Sequence, residues 1–234
     1  MTFLNHGSYG ACPIPVFDDY QNWQKKLENQ PVQFMTKFLW ESLKKSRNYL
    51  ADYINCSAND IILFPNPTTA INNLFNNLSL NQGDEVLMTQ HEYGALVRAW
   101  GNASKIKKFK VIQKGIDLPL DNKQDFIDQF LSEVNKKTKV IFMSHITSQT
   151  ALIFPIKEIC HYAKRHGITT IIDGAHVPGH IKLDIAEIDC DYYTGACHKW
   201  LCAPKGTSFL FVREKLQKNM IPQTVSWGEE GEDP

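Results

Sequence analysis

The chain has 234 residues, of which 43% are hydrophobic and 21% charged, and its 25 basic side chains are matched by 25 acidic ones. This composition is typical of a globular chain with one large domain, and it excludes disordered and collagen-like chains. A net charge of zero without a dense Lys or Arg cluster argues against a nucleic-acid partner, and no run approaches the roughly 18 apolar residues of a membrane span.

The six cysteines are sparse and irregularly spaced. Because no basic and apolar secretory signal precedes them, we expect reduced thiols in a cytoplasmic protein rather than a disulfide framework. Cys197, His198 and Cys202 lie close together in sequence, but no CxxC pair or second ligand cluster completes a tetrahedral set. We therefore predict no metal site.

Helical patterns come first along the chain. After an N-terminal arm formed by residues 1–15, apolar residues recur at helical spacing in 16–30 and in 34–53, and Pro31 separates the two stretches. We predict one helix in each stretch.

From residue 61 onward, short β-branched or aromatic runs alternate with amphipathic stretches. This alternation indicates an α/β fold, which we predict as three α/β/α layers around a mostly parallel seven-stranded sheet whose strands are buried on both faces in their middles. The predicted strands are 61–64, 85–88, 109–112, 139–144, 169–172, 191–194 and 208–212, and the predicted helices between them are 69–78, 95–103, 123–134 and 156–166.

The first candidate site is the segment Phe64-Pro-Asn-Pro-Thr-Thr-Ala-Ile-Asn72. A predicted strand ends there in a short loop, and Thr68 and Thr69 stand at the start of the next helix. Unpaired amides and the helix dipole at such an N-terminus bind phosphate well. The alternative is that one of the threonines only caps the helix.

The second candidate is Thr170-Ile-Ile-Asp-Gly-Ala-His-Val-Pro-Gly179, in which an apolar strand delivers Asp173 at its carboxyl end. Ligands of open α/β sheets bind at that edge. A carboxylate there needs a ligand, a cation or hydrogen bonds, because burying it unpaired is costly. Alternatively, Asp173 caps the following turn through backbone amides.

The third candidate is Lys199, which follows a predicted buried strand and is flanked by His198, Trp200 and Leu201. A desolvated ammonium has a lowered pKa, and the resulting free amine is a nucleophile. The alternative is a lysine whose stem packs while its tip reaches water.

Together the three candidates supply a phosphate cradle, a carboxylate and a nucleophilic amine, each at or just beyond the carboxyl end of a predicted strand. Pyridoxal phosphate needs this combination: a lysine for its Schiff base, a carboxylate that keeps the pyridine nitrogen protonated, and donors for its phosphate. The sequence therefore predicts a pyridoxal-phosphate site.

Six motifs in order carry a resemblance to a known family. The chain resembles the class V aminotransferase family of fold-type I pyridoxal-phosphate enzymes, and within it the isopenicillin N epimerase-like branch. The motifs are Leu4-Asn-His-Gly-Ser-Tyr-Gly10, Asn66-Pro-Thr-Thr-Ala70, His91-Glu-Tyr-Gly-Ala95, His145-Ile-Thr-Ser148, Asp173-Gly-Ala-His176 and His198-Lys-Trp-Leu201.

The resemblance implies a role for each matching residue. Lys199 forms the internal aldimine and later carries the Cα proton, while Asp173 pairs with the pyridinium nitrogen. Thr68 and Thr69, with His198 nearby, match the phosphate-binding turn. The further implied positions are Tyr93, or alternatively His91, stacked on the cofactor ring, Ser148 at the 3-hydroxyl side, His176 lining the ring, and Asn5, His6 and Ser8 facing the substrate.

Three residues depart from the related cysteine desulfurases: Ser148 stands where those enzymes carry Asn, His176 where they carry Gln, and Ala196 where they place a phosphate-binding Ser. The first two favour the epimerase-like branch. The resemblance further implies that 16–213 form the cofactor-binding large domain and that 214–234 begin a linker to a small C-terminal domain that this sequence does not contain.

The implied activity is that of a homodimeric enzyme that removes the Cα proton of an amino acid. Reprotonation on the opposite face would give epimerisation, β-elimination would give C–S lysis, and protonation of the cofactor would give transamination, with the branch favouring the first two. The alternatives are a truncated, catalytically inactive domain of this fold, or a cysteine desulfurase whose nucleophilic cysteine lies outside the sequence. A Rossmann nucleotide-binding module is disfavoured because no GxGxxG follows a predicted strand.

Overall fold

Seven strands form one sheet in the computed structural model of the protein, which describes residues 2–225. The sheet has six strands that run in the same direction and one that opposes them. In chain order the strands are β1 (Ile61–Phe64), β2 (Glu85–Thr89), β3 (Lys110–Lys114), β4 (Thr138–Ser144), β5 (Thr169–Asp173), β6 (Tyr192–Ala196) and β7 (Ser208–Val212).

The spatial order of the strands is β1-β7-β6-β5-β4-β2-β3. The pairs from β3 to β6 are parallel, whereas β7 is antiparallel to both of its neighbours, β6 and β1. Parallel neighbours need crossover helices, and these cover both faces of the sheet. The predicted mostly parallel α/β fold is confirmed.

The helices follow the predicted pattern with shifted ends. The stretch predicted as one helix over 34–53 is helical throughout, but it begins with a π-helical turn over Phe34–Phe38 before the α-helix Leu39–Ile54. The four-residue helices Ile185–Ile188 and Glu214–Gln217 were not predicted, since one turn is too short to show a helical period. The helices are α1 (Ile14–Asn29), α2 (Pro31–Gln33), α3 (Leu39–Ile54), α4 (Pro67–Leu74), α5 (Gly94–Lys107), α6 (Lys123–Leu131), α7 (Ile156–Arg165), α8 (Ile185–Ile188) and α9 (Glu214–Gln217). The predicted linker over 214–234 lies in part outside the described residues.

Two apolar clusters, one on each face of the sheet, form the core. On one face, α3, α6 and α7 pack against Leu87, Ile141 and Ile172. On the other face, α4 and α5 pack against Val86 and Val140, with Trp100 fully buried. Neighbouring residues of one strand point to opposite faces, so a strand covered on both sides is apolar throughout.

The expectation of strand middles buried on both faces is wrong at the sheet margins. In β1, Ile62 is 44% and Leu63 39% exposed, and the middle of β3 is only half-buried. Both strands lie at the edges of the sheet, where each has one neighbour and incomplete helix cover. Within residues 2–225, no helix is both long and apolar enough to cross a bilayer.

The N-terminal arm packs against the loop that carries Lys199. Gly10 is buried there with φ +71°, and a Cβ at this position would lie 1.9 Å from the carbonyl oxygen of His198. Only glycine fits, because a side chain would both strain the left-handed backbone and collide with the loop. The arm therefore buttresses the Lys199 loop through direct backbone packing.

We expect Gly10→Ala to lower the free energy of unfolding by about 2–4 kcal/mol, because it adds a steric clash to the strain of a positive φ. Gly83→Ala is the matched control: Gly83 also has a positive φ, +91°, but no atom of the described residues lies within 4 Å of its Cβ position. That variant should lose only about 1 kcal/mol. Urea unfolding of both variants measures the difference, and equal losses would contradict the close packing of the arm.

Candidate active site

A cavity of about 220 Å³ lies at the carboxyl edge of the parallel strands. Strand β4 ends there with Ser144 and β5 with Asp173, and these two residues are register partners. The loop after β6 brings Lys199 to the same edge, as expected where parallel strands end side by side. Eight predicted site residues line the cavity: Ser8, Thr68, Tyr93, Ser148, Asp173, His176, His198 and Lys199.

The carboxylate of Asp173 lies at the base of the cavity and is only 3% exposed. Burial raises its pKa, while a hydrogen bond and a charge oppose that rise: the Ala175 amide donates to Oδ1 at 3.0 Å, and the Lys199 ammonium would favour the anion. Gly174 makes room for the turn, because a Cβ there would lie 2.1 Å from the hydroxyl of Tyr193. Asp173 is thus a buried hydrogen-bond acceptor that lines the cavity.

Lys199 contacts His176 across the cavity wall. Its Nζ lies 3.1 Å from Nε2 of His176, and the indole Nε1–H of Trp200 donates to Nδ1 of the same imidazole at 3.3 Å. Burial lowers the pKa of Lys199, against the opposing charge of Asp173. Burial also lowers the pKa of His176 to about 4, with the charges of Lys199 and His180 acting in the same direction. The arrangement favours an uncharged amine.

The N-terminus of α4 presents donors to the cavity. Asn66 caps the helix, since its Oδ1 accepts from the amide of Thr69 at 2.8 Å and from the Thr69 hydroxyl at 3.1 Å. Pro67 has no N–H, which leaves the amide and hydroxyl of Thr68 for a ligand. The structure brings Thr68 into the cavity, whereas Thr69 lines a groove on the other side of the helix. His198 stands beside Thr68 along the cavity and donates Nδ1–H to the Thr207 carbonyl at 2.9 Å.

Tyr93, rather than His91, places its ring at the cavity. Tyr93 precedes the first turn of α5 and is 46% exposed on the cavity side. His91 is 9% exposed and packs edge-on against Phe154, with ring centroids 6.2 Å apart. The side chain of His91 is directed into the core and is not brought to the cavity.

The arm contributes unequally to the site. Ser8 lines the cavity, and Asn5 lies in an adjoining groove of about 450 Å³, with its Nδ2 donating to Oγ of Ser8 at 2.9 Å. His6 turns away from both spaces: its Nδ1 accepts from the Ala11 amide at 3.3 Å and lies 3.6 Å from Sγ of Cys202. Asn5 and Ser8 are therefore positioned to meet a ligand, whereas His6 holds the arm to the loop.

A second buried carboxylate, Glu92, was missed in the sequence. Both hydroxyl and amide of Ser144 donate to its Oε2, at 2.6 and 2.7 Å, and the hydroxyl of Thr89 donates to Oε1 at 2.6 Å. Burial raises the pKa of Glu92 to about 7 despite these hydrogen bonds, and the charge of Asp173 adds to the rise. Glu92 lies inside the motif His91-Glu-Tyr-Gly-Ala95, but the motif assigns it no role, whereas Ser144 could have been found from its position at the end of β4.

Glu92 makes stability depend on pH. The folded state holds its proton to about pH 7, whereas the ordinary pKa of a glutamate carboxyl is 4.5, so the folded state binds more protons between these values and the free energy of unfolding falls as the pH rises. In Glu92→Gln, the amide can accept from Ser144 and donate to Thr89 without titrating. We expect this variant to gain up to about 3 kcal/mol relative to the parent between acid and mildly alkaline pH.

The measurement is urea unfolding of the parent and Glu92→Gln over that pH range, with exposed Glu41→Gln as the matched control. The lowered pKa values of His145 and His176 make the free energy of unfolding rise with pH in part of the same range. The quantity to compare is therefore the difference in the free energy of unfolding between each variant and the parent at each pH. A difference that does not change with pH would contradict the titration of Glu92.

Comparison with known proteins shows which family the chain resembles in sequence. The model of the family described as Aminotransferase class-V matches residues 11–230. The chain is 32% identical to isopenicillin N epimerase of Amycolatopsis lactamdurans over 100% of this chain and 60% of that protein. It is 27% identical to the putative L-cysteine desulfhydrase 1 of Oryza sativa subsp. japonica, over 90% of this chain and 47% of that protein.

Solved structures share the fold. A complex of the cystine C–S lyase C-DES with its reaction product cysteine persulfide superimposes with a TM-score of 0.88 at 23% identity, covering 96% of this chain and 60% of the other. The apo cysteine desulfurase of Thermococcus onnurineus NA1 gives a TM-score of 0.83 at 20% identity, covering 95% and 56%. The chain thus spans about 60% or less of the length of these proteins.

Proposed function

The chain belongs to the class V aminotransferase family, and we propose that it binds pyridoxal 5′-phosphate and uses it to act on an amino acid. One observation supports this proposal most strongly. A buried carboxylate, a desolvated lysine, an aromatic ring and a helix N-terminus converge on one cavity at the edge of the sheet. Each group matches a part of this cofactor.

The residues present fit the cofactor. Asp173, buried and with one protein hydrogen bond at Oδ1, would pair with the pyridinium nitrogen. The Thr68 amide and hydroxyl would hold the phosphate at the start of α4, where the helix dipole favours an anion. Tyr93 would cover one face of the ring. Ser148 and His176 would face the remaining polar edge.

When bound, the cofactor withdraws electrons from the Cα of an attached amino acid, which weakens its Cα–H bond. The protein residues do the rest. Lys199 would hold the cofactor and, as a free neutral amine once a substrate is attached in its place, would accept the Cα proton, for which its lowered pKa suits it. Asp173 would keep the ring nitrogen of the cofactor protonated through its charge. Asn5 and Ser8, at the mouth of the cavity, would contact the substrate.

We propose epimerisation or C–S lysis as the reaction. Support comes from the 32% identity to an isopenicillin N epimerase and the 27% identity to a cysteine desulfhydrase over nearly the whole chain. Ser148 and His176, which depart from the cysteine desulfurase pattern, are both at the cavity. Transamination and desulfuration remain as outcomes that product analysis would distinguish.

Lys199→Ala should abolish both cofactor attachment and Cα proton removal, because Lys199 supplies the amine among the described residues that line the cavity. Attachment is measured by borohydride reduction with pyridoxal phosphate and mass spectrometry of the Lys199 peptide. Proton removal is measured as deuterium exchange at Cα of added amino acids in heavy water. The exposed Lys205→Ala, six residues along the same loop, is the matched control and should keep both.

Attachment without exchange in the parent chain would contradict catalysis and favour an inactive domain that retains the cofactor. Attachment at lysines other than Lys199, or unchanged attachment in Lys199→Ala, would contradict the site itself. Where exchange occurs, the product decides the reaction: the opposite enantiomer for epimerisation, and pyruvate with a reduced sulfur species for C–S lysis of a sulfur amino acid.

We also propose that the protein is a homodimer. The family resemblance implies it, and α1 supports it with Phe17, Tyr20 and Trp23 exposed on a helix that has no buried residue. Light scattering after size exclusion should give twice the chain mass, and Phe17→Glu should shift the protein toward monomer because the charge would have to be desolvated. The control Ile106→Glu, on exposed α5 surface, should not. A monomeric parent chain would overturn the proposal.

A further inference from the structure

We propose that Trp200 is a positioning residue whose indole N–H sets the tautomer of His176, so that His176 donates to Lys199 and holds it as a neutral amine. This inference deepens the proposed function and depends on Lys199 being the reactive amine. It rests on three side chains in series, joined by the contacts Trp200 Nε1 to His176 Nδ1 at 3.3 Å and His176 Nε2 to Lys199 Nζ at 3.1 Å.

The direction of the first hydrogen bond is fixed by chemistry. An indole N–H can only donate, so Nδ1 of His176 must be the acceptor and carries no proton. A neutral imidazole has one proton, which must then be on Nε2. A doubly protonated ring is incompatible with the contact, since both of its nitrogens would be donors.

The second hydrogen bond follows from the first. With its proton on Nε2, His176 is the donor toward Nζ of Lys199. A lysine ammonium has three donors and no acceptor, so only the neutral amine can accept this hydrogen bond. A flip of the imidazole would place carbon atoms against both partners. The two hydrogen bonds in series therefore select the Nε2–H tautomer of His176 and the neutral form of Lys199.

Most of the surroundings favour a neutral His176 and a neutral Lys199, whereas one neighbouring charge favours the Lys199 ammonium. Burial disfavours the charged form of both His176 and Lys199. Asp173 is the group that acts in the other direction, since its carboxylate favours an ammonium at Lys199. The charge of His180, whose ring stacks on Trp200, also disfavours the imidazolium. The donation from Nε2–H helps to offset the effect of Asp173.

Trp200 is held firmly enough to perform this task. The ring of His180 stacks on it with centroids 4.3 Å apart and planes 21° from parallel. On the arm, a Cβ at Gly7 would lie 3.1 Å from Cζ2 of Trp200, so the arm covers the edge of the indole. At Gly179, a Cβ would lie 2.6 Å from the Trp200 carbonyl oxygen. Packing on several sides fixes the direction of the N–H.

Trp200→Phe tests the inference, because it keeps an aromatic side chain and removes the N–H donor. Without the indole, Nδ1 of His176 can carry the proton, and Nε2 can accept from a Lys199 ammonium. We expect the apparent pKa of Lys199 to rise and its labelling by trace acetic anhydride at neutral pH to slow by about tenfold, the effect of losing one hydrogen bond that favours the amine. Exposed Trp40→Phe is the matched control and should leave the rate unchanged.

A second measurement needs no variant. Long-range proton–nitrogen correlation spectra of isotope-labelled histidine in the cofactor-free chain report the tautomer of each ring. We expect the Nε2–H form for His176 at neutral pH in the parent and a shift toward the Nδ1–H form in Trp200→Phe. An Nδ1–H or doubly protonated His176 in the parent would overturn the inference, and so would an unchanged tautomer and labelling rate in a folded Trp200→Phe.

Both readouts are independent of cofactor binding. Failure of the parent chain to attach pyridoxal phosphate would refute the proposed function and leave the tautomer result standing. The reverse pattern, attachment at Lys199 with an Nδ1–H tautomer at His176, would refute the role of Trp200 and leave the proposed function standing. A loss of packing without a role in protonation would lower stability equally at all pH values and would not move the Lys199 labelling profile.

Discussion

Burial of the Asp173 carboxylate at the end of β5 is the constraint on which the rest of the site depends. An anion in such a place is tolerated only with partners, because water cannot solvate it. The protein supplies one backbone amide from the turn that follows and one potential cation, Lys199, from the loop after β6. The amide is local to the turn, whereas Lys199 requires the parallel pairing of β5 with β6, which brings the two strand ends to the same edge.

Asp173 also limits what its neighbours can be. Burial raises the pKa of Glu92, and the charge of Asp173 adds to that rise, because two ionised carboxylates in the interior would repel each other. Glu92 nevertheless joins β2 to β4 through Thr89 and Ser144. This end of the sheet therefore combines a carboxylate that lines the cavity, Asp173, with a second one, Glu92, that is not among the cavity-lining residues and is shared among hydroxyl and amide donors.

The sequence predicted the sheet well and the details of the site less well. Runs such as Ile61–Phe64 and Ser208–Val212 were predicted with correct ends, because buried strands concentrate β-branched and aromatic residues. The expected burial of β1 was wrong, since its edge position depends on β7 pairing from far along the chain. Motifs placed Lys199 and Asp173 together, but Glu92, Trp200 and the outward turn of Thr69 depend on side-chain geometry that no spacing records.

The contact between Gly10 and the Lys199 loop has a consequence for how the protein is made. Residues about 190 positions apart in sequence must meet before the loop is buttressed, and the pairing of β1 with β7 imposes a similar delay. Contacts of such long range form slowly, because the entropy of closing the chain is lost before they stabilise anything. On the ribosome, the first helices and central strands can assemble early, whereas the cavity is completed only when the loop that carries Lys199 has emerged. A nascent chain halted before β7 would present β1 as an unpaired apolar edge, the feature of partly folded proteins that leads to aggregation.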